Sequence, residues 1–159
     1  MAEADRLSGK IPVALTSLLN RVGDGEALLK TTQFGSAIYA NRPGDGSARE
    51  QAASCQRVLG GCANICRSFA TKRYRSNCIN WGILPFTLEE DFTGENGDCI
   101  FIPGVREALA AGQEALPATL LRSGGGTEPL TLHLQNLTAE EREILLDGCL
   151  MNYYRKKNG

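Results

Sequence analysis

The sequence predicts an α/β fold with a central mixed, partly parallel sheet flanked by helices, and three observations predict it. Strand-like runs at Ser36–Ala40, 62–66 and 83–86 alternate with helical patterns over 48–59 and 69–81. Such a β-α-β-α-β run implies parallel strands joined by right-handed helical crossovers. Past residue 97 the pattern changes to strands over 98–102, 118–122 and 129–134, with the turn Ser123-Gly124-Gly125-Gly126-Thr127 joining the last two. Size is the third observation: 159 residues, 42% apolar and 22% charged, suit one domain with a real core.

Each element has its own signal. Residues 1–10 read as a polar, poorly ordered lead-in. Residues 15–29 carry apolar positions at helical intervals, interrupted by Gly23-Asp24-Gly25, so two short helices are expected. Residues 1–34 are therefore assigned to a lead-in with short helices, and 35–159 to the domain proper. Gly60-Gly61 stops the helix over 48–59, and Gly82 stops the one over 69–81, with Trp81 expected in the core beside it. Pro85 favours an edge or strand end for 83–86. A short helix spans Val105–Ala111. The final helix, 139–156, opens with the capping box Thr138-Ala139-Glu140-Glu141 and closes on Lys156 and Lys157. Ile144, Leu145, Leu146, Cys149, Leu150 and Tyr153 form its apolar face.

Composition excludes several classes. A formal net charge of −1 gives no global drive toward nucleic acid or an anionic membrane. The apolar runs are too short to span a bilayer and do not form a secretory signal, so a cytoplasmic location is expected. Without that signal the six cysteines read as free buried thiols rather than disulfides. Cys62 and Cys66 are spaced C-x3-C inside a strand-like run, there is no C-x2-C, and the single His133 reads as an ordinary strand residue, so no metal site is expected.

The most informative stretch is Pro43-Gly44-Asp45-Gly46-Ser47-Ala48-Arg49-Glu50. A strand, a glycine turn and a helix start make an anion site, because the first amides of a helix lack intrahelical partners and carry the positive end of its dipole. Arg49 adds a charge and a planar fork suited to carboxylate or phosphate. Ser47 with Glu50 also reads as a plain capping box, worth about 1 kcal/mol. Asp45 is a turn residue, and Lys72-Arg73-Tyr74-Arg75 reads as a solvated helix face.

Several motifs in order resemble the aconitase superfamily, specifically its C-terminal swivelling domain. Gly44-Asp45-Gly46-Ser47-Ala48-Arg49-Glu50-Gln51-Ala52-Ala53 is similar to the family's Gly-x-Gly-Ser-Ser-Arg-(Glu/Asp)-x-Ala. Leu59-Gly60-Gly61, Arg67-Ser68-Phe69-Ala70, Ser76-Asn77 and Gly82-Ile83-Leu84-Pro85-Phe86 follow at matching spacing. The resemblance implies a swivelling β/β/α domain over 35–159. It implies a hydro-lyase acting on hydroxy di- or tricarboxylic acids together with a [4Fe-4S] cluster held by domains or a subunit outside this chain; no cofactor is expected on the chain itself. Ser47 would be the base, and Arg49, Ala48 and Gly46 would bind substrate, with Arg42 a possible further contact. Asn77 is read as a structural hydrogen bonder.

The departures from the pattern shape the expectation. Ala48 stands where the family has a second serine, and Arg42 and Pro43 replace a polar or acidic residue and an aromatic. The family's early strand has no counterpart in residues 1–34, and no cysteine has cluster-ligand spacing. The chain is thus expected to be inactive alone and to belong with cluster-bearing domains of a longer polypeptide. Two alternatives stand beside this: a separately encoded small subunit of an isopropylmalate-isomerase-like enzyme, which the missing early strand disfavours, and a non-catalytic anion- or RNA-binding module. Some relatives bind RNA, but the neutral charge and the lack of an aromatic platform argue against nucleic acid.

Overall fold

The structure is a computed structural model that describes residues 13–159; the lead-in assigned to 1–10 lies outside them. Helices α1 (Val13–Leu19) and α2 (Gly25–Thr31) are separated at Gly23-Asp24, as the sequence implies. Asp24 caps α2 by accepting from the Glu26 and Ala27 amides. Arg21 ties this pair to the sheet by donating to the Arg122 carbonyl at 2.6 Å.

Strands β1 (Ser36–Ala40), β2 (Gly61–Cys66) and β3 (Leu84–Thr87) are parallel, joined through α3 (Arg49–Val58) and α4 (Lys72–Asn80). Strands β4 (Cys99–Phe101), β5 (Ala115–Leu121) and β6 (Thr127–His133) are antiparallel, with α5 (Val105–Ala111) between the first two. The sheet order is β1-β2-β3-β6-β5-β4, a mixed and partly parallel sheet. Ile65, Phe86, Leu116, Leu120 and Leu132 from its strands pack against Ile79, Leu109, Ile144 and Leu145 from the helices. A smaller cluster of Ala53, Tyr74, Cys78 and Ile83 sits between α3 and α4, with Trp81 half-buried against it.

Pro85 takes the strand-end placement that the sequence allows, one residue inside the start of β3, although β3 is interior rather than an edge: β2 pairs along it, while β6 pairs with it only at Thr87, so the β6 flank of Pro85 carries no ladder. Three expectations are corrected. The helix expected from Phe69 starts at Lys72, because the Thr71 hydroxyl caps it by accepting from the Tyr74 amide. The long final helix is two, α6 (Ala139–Asp147) and α7 (Leu150–Asn158), broken at Gly148 with φ +90°. Not all cysteines are buried thiols: Cys66 and Cys78 are, Cys55 is exposed, and all six are free.

Gly82 and Gly148 meet at close range. A Cβ on Gly82 would lie 1.7 Å from the Gly148 carbonyl oxygen, and Gly82 itself has φ +69°. This contact joins the end of α4 to the break between α6 and α7. Gly82→Ala is expected to destabilise the fold by about 2–4 kcal/mol through overpacking and left-handed strain, read from urea unfolding midpoints.

The segment after β3 is fastened electrostatically. Arg122 donates to Glu128, Asp98, and the carbonyl and hydroxyl of Thr93, while Asp98 accepts from the Glu95 and Ser123 amides. These amides, with Arg122 beside them, hold the Asp98 carboxyl down to about 2 from 3.8. A depressed native value means that Asp98 contributes stability above pH 3.8 and loses it as pH falls through about 2. Asp98→Asn should therefore lower stability at neutral pH and flatten the acid limb between about pH 4 and pH 2, measured by urea unfolding across pH.

Candidate active site at the Gly44 turn

The turn sits where parallel strands most often hold ligands, at their carboxyl ends. It leaves β1 at Asn41, beside the loop that leaves β2 at Arg67. Backbone and side chain zip the two loops together. The Ser68 amide donates to the Asn41 carbonyl at 3.3 Å and the Ala70 amide to the Pro43 carbonyl at 2.9 Å. The Thr71 hydroxyl donates to the Gly44 carbonyl at 3.1 Å. Gly44 has φ +92°, and a Cβ there would press within 2.6 Å of the Tyr74 ring atoms, so only glycine fits this position. Gly46 differs, since a Cβ there would meet nothing within 4 Å. The chain itself does not demand glycine at 46, and the space over its peptide is open.

Past Gly44 the partners stop. Asp45, Gly46, Ser47 and Ala48 are exposed, and among the described residues the amides of 46–48 and the Ser47 hydroxyl make no hydrogen bond. The capping box expected between Ser47 and Glu50 does not form. The N-cap of α3 is Ala48, with no side-chain cap, and the Glu50 carboxylate accepts from the Trp81 indole instead. Ser47 thus keeps its hydroxyl and Glu50 holds α3 onto α4.

Arg49 is half-buried and donates through Nε to the Gly44 carbonyl at 3.3 Å. Both Nη groups lack a partner among the described residues, which leaves the end-on edge of the guanidinium open to a carboxylate or phosphate. Arg42 is exposed on the same loop. Arg67 is committed to an ion pair with Asp91.

Beneath the turn lies a buried polar network that sequence patterns did not single out. The Tyr74 hydroxyl accepts from Gln56 Nε2 at 2.9 Å and Asn64 Nδ2 at 3.3 Å, and Asn64 also donates to Cys78 Sγ at 3.1 Å. Asn64 is 1% exposed and Tyr74 2%. Burial raises the Tyr74 and Cys78 ionisations and pushes the neighbouring Cys66 thiol to about 12, so the floor of the turn stays uncharged at neutral pH. The expected solvated face at 72–75 is corrected accordingly: Tyr74 points inward, and Arg75 donates to Glu141 and the Gln135 carbonyl. Only Lys72 and Arg73 of that run are exposed. Asn77, read as the structural hydrogen bonder, makes no side-chain hydrogen bond among the described residues; Asn64 fills that role. The one sequence signal for Asn64 was a polar residue inside an apolar strand.

Among the described residues no group of three His, Cys, Asp or Glu side chains could hold a metal ion. Two surface recesses, of about 430 and 300 Å³, are lined by residues outside the turn. Residues 45–48 are exposed, so the turn is one open wall rather than an enclosed pocket.

The family model of the aconitase C-terminal domain matches residues 29–91, which contain the turn, the loop zipped to it and the polar floor. The methanogen homoaconitase small subunit of Methanocaldococcus jannaschii is 31% identical over 136 residues, covering 85% of this chain and 71% of that protein. The chain belongs to the aconitase family.

Single-chain relatives of this aconitase-family domain are much longer. Aconitate hydratase A of Bradyrhizobium diazoefficiens is 29% identical over 78% of the chain, and the chain spans 14% of its length. The probable mitochondrial aconitate hydratase of Dictyostelium discoideum is 32% identical over 72% of the chain, which spans 15% of it. Among the described residues no helix is long and apolar enough to cross a membrane.

Because Ser47 is not a cap, Ser47→Ala should change stability by less than about 0.5 kcal/mol in urea unfolding, against about 1 kcal/mol for a lost cap.

Proposed function

We propose that this chain is the swivel domain, over 35–159, of an aconitase-family hydro-lyase acting on a hydroxy di- or tricarboxylic acid. In this reading Ser47 is the base and Arg49 the carboxylate clamp. The observation that carries it is the Gly44 turn itself: a first half held by the neighbouring loop, then a serine hydroxyl, amides at 46–48 and two Arg49 Nη groups that have no hydrogen-bond partner among the described residues. A serine hydroxyl is a poor base, so its oxyanion needs strong donors in a site closed against water. The amides of Gly46, Ser47 and Ala48 and the Arg49 charge supply them. Arg49 grips a substrate carboxylate end-on, which fixes the neighbouring carbon at proton-transfer distance from Ser47 Oγ. Gly46 leaves room for substrate over its peptide, Ala48 contributes an amide but no hydroxyl, and Arg42 offers a second cation for a further carboxylate.

The other wall of the site belongs to cluster-bearing domains. Their docking is supported by apolar surface that the described residues leave uncovered: Val58 and Leu59 are 82% and 83% exposed, and Ile38 is 40% exposed on edge strand β1. The family's [4Fe-4S] cluster is assigned to those domains, since the described residues of this chain offer no ligand set. The chemistry left to this chain is binding, orientation and proton transfer.

A second reading, the separately encoded small subunit, is favoured by the match over 71% of the homoaconitase small subunit. An in-frame upstream coding region with a C-x2-C and a distant third cysteine would decide for a single polypeptide; a separate large-subunit gene would decide for two.

In the complete, cluster-loaded enzyme, Ser47→Ala should lower kcat by about 10²–10⁴-fold. Arg49→Lys should lower kcat/KM by about 10–100-fold as the charged, forked contact is lost. Steady-state kinetics on a panel of hydroxy acids checks both; the assignment fails if neither substitution changes hydration of any of them.

A further inference from the structure

We infer that Thr71 is a positioning residue for Arg49: its hydroxyl and the Arg49 guanidinium share one acceptor, the Gly44 carbonyl, so the residue that opens α4 also sets where the clamp faces. This rests on the reading of Arg49 as a carboxylate clamp. Thr71 Oγ1 accepts from the Tyr74 amide at 3.2 Å, which leaves its own hydrogen for the Gly44 oxygen at 3.1 Å. Arg49 Nε reaches the same oxygen at 3.3 Å, and a carbonyl has two lone pairs, so the two donors fill it.

The Gly44 peptide has little freedom to turn. The Ala70 amide holds the preceding carbonyl of Pro43 at 2.9 Å, and the Tyr74 side chain closes off the space on the Cα of Gly44. Thr71 holds the Gly44 carbonyl itself, and that carbonyl is the one partner Arg49 has among the described residues. A change in its direction re-aims both Nη groups, and small misplacements of a positioning group are costly in catalysis. Capping alone does not call for a hydroxyl at 71, since a carboxylate caps as well. Only a group that both accepts and donates can cap α4 and hold Gly44 together.

The test uses the ¹⁵N-labelled 159-residue chain and the Arg49 Nε–Hε signal, with Arg42 as the exposed reference. In the wild type the Thr71 hydroxyl and Arg49 Nε protons should exchange slowly, and the Arg49 Nε heteronuclear NOE should exceed that of Arg42. Fast exchange of both protons overturns the inference without any variant. In Thr71→Val the Arg49 NOE should fall to the Arg42 level, and Thr71→Ser should restore it. A cap with no positioning role predicts a lower melting midpoint for Thr71→Val with the Arg49 signal unchanged, and that result also overturns the inference. In the complete enzyme Thr71→Val should raise KM about five- to tenfold, as expected for one misdirected hydrogen bond. If Arg49→Lys raises KM and Thr71→Val does not, positioning by Thr71 is wrong while the clamp stands. If Arg49→Lys leaves KM unchanged, the clamp reading itself has failed.

Discussion

The carbonyl of Gly44 is the point on which the site depends. It lies four residues past the end of β1, where a chain ordinarily starts to wander, yet the loop leaving β2 holds it in place. Ser68, Ala70 and Thr71 hydrogen-bond in turn to Asn41, Pro43 and Gly44. That loop is in turn fixed because β2 is interior to the parallel ladder, pairing β1 on one side and β3 on the other, with Ile65 and Cys66 buried. Order passes from the core to β2, from β2 to the 67–71 loop, from the loop to Gly44, and from Gly44 to Arg49. Among the described residues the amides of 46–48 and the Ser47 hydroxyl are left without hydrogen-bond partners, which is the usual condition of a surface that meets a ligand.

The floor under this turn is polar but closed. Asn64, Tyr74 and Cys78 hydrogen-bond in a space from which water is excluded, and the half-buried Gln56 donates to the Tyr74 hydroxyl. Such a network is stabilising only while complete, because an orphaned buried donor costs its full desolvation. The arrangement therefore specifies how α3, β2 and α4 meet and keeps the Tyr74 ring under Gly44. At the far end of α4, the contact between Gly82 and Gly148 couples the same helix to the last two helices. The half of the molecule that carries the turn is in this way packed against the half that carries the antiparallel strands.

Much of this was legible in the sequence, and the misses share a cause. Periodicity and glycine stops located all six strands and the α1 and α2 break, because those signals are local. The glycine turn was legible because its residues are adjacent, and Ser47 and Arg49 were singled out as candidates by the same local pattern. The capping box failed because Glu50 finds the Trp81 indole, 31 residues away, and no local pattern contains that partner. Pro85 marked a strand end but not which strand is interior, because edge and interior are properties of the sheet order. The broken final helix needed Gly148 to be read against Gly82. The support that Thr71, Tyr74 and Asn64 give the turn became visible only through contacts that span the turn, β2 and α4.

The turn is held by the neighbouring loop up to Gly44, and among the described residues the amides of 46–48 have no hydrogen-bond partner. Amide hydrogen exchange on the 159-residue chain measures this directly. The Ser68 and Ala70 amides should be protected well above the amides of Gly46, Ser47 and Ala48, which should exchange near the rate of an open loop. Protection at 46–48 equal to that at Ala70 would mean that the turn satisfies itself, and the account of an open anion-binding wall would be contradicted.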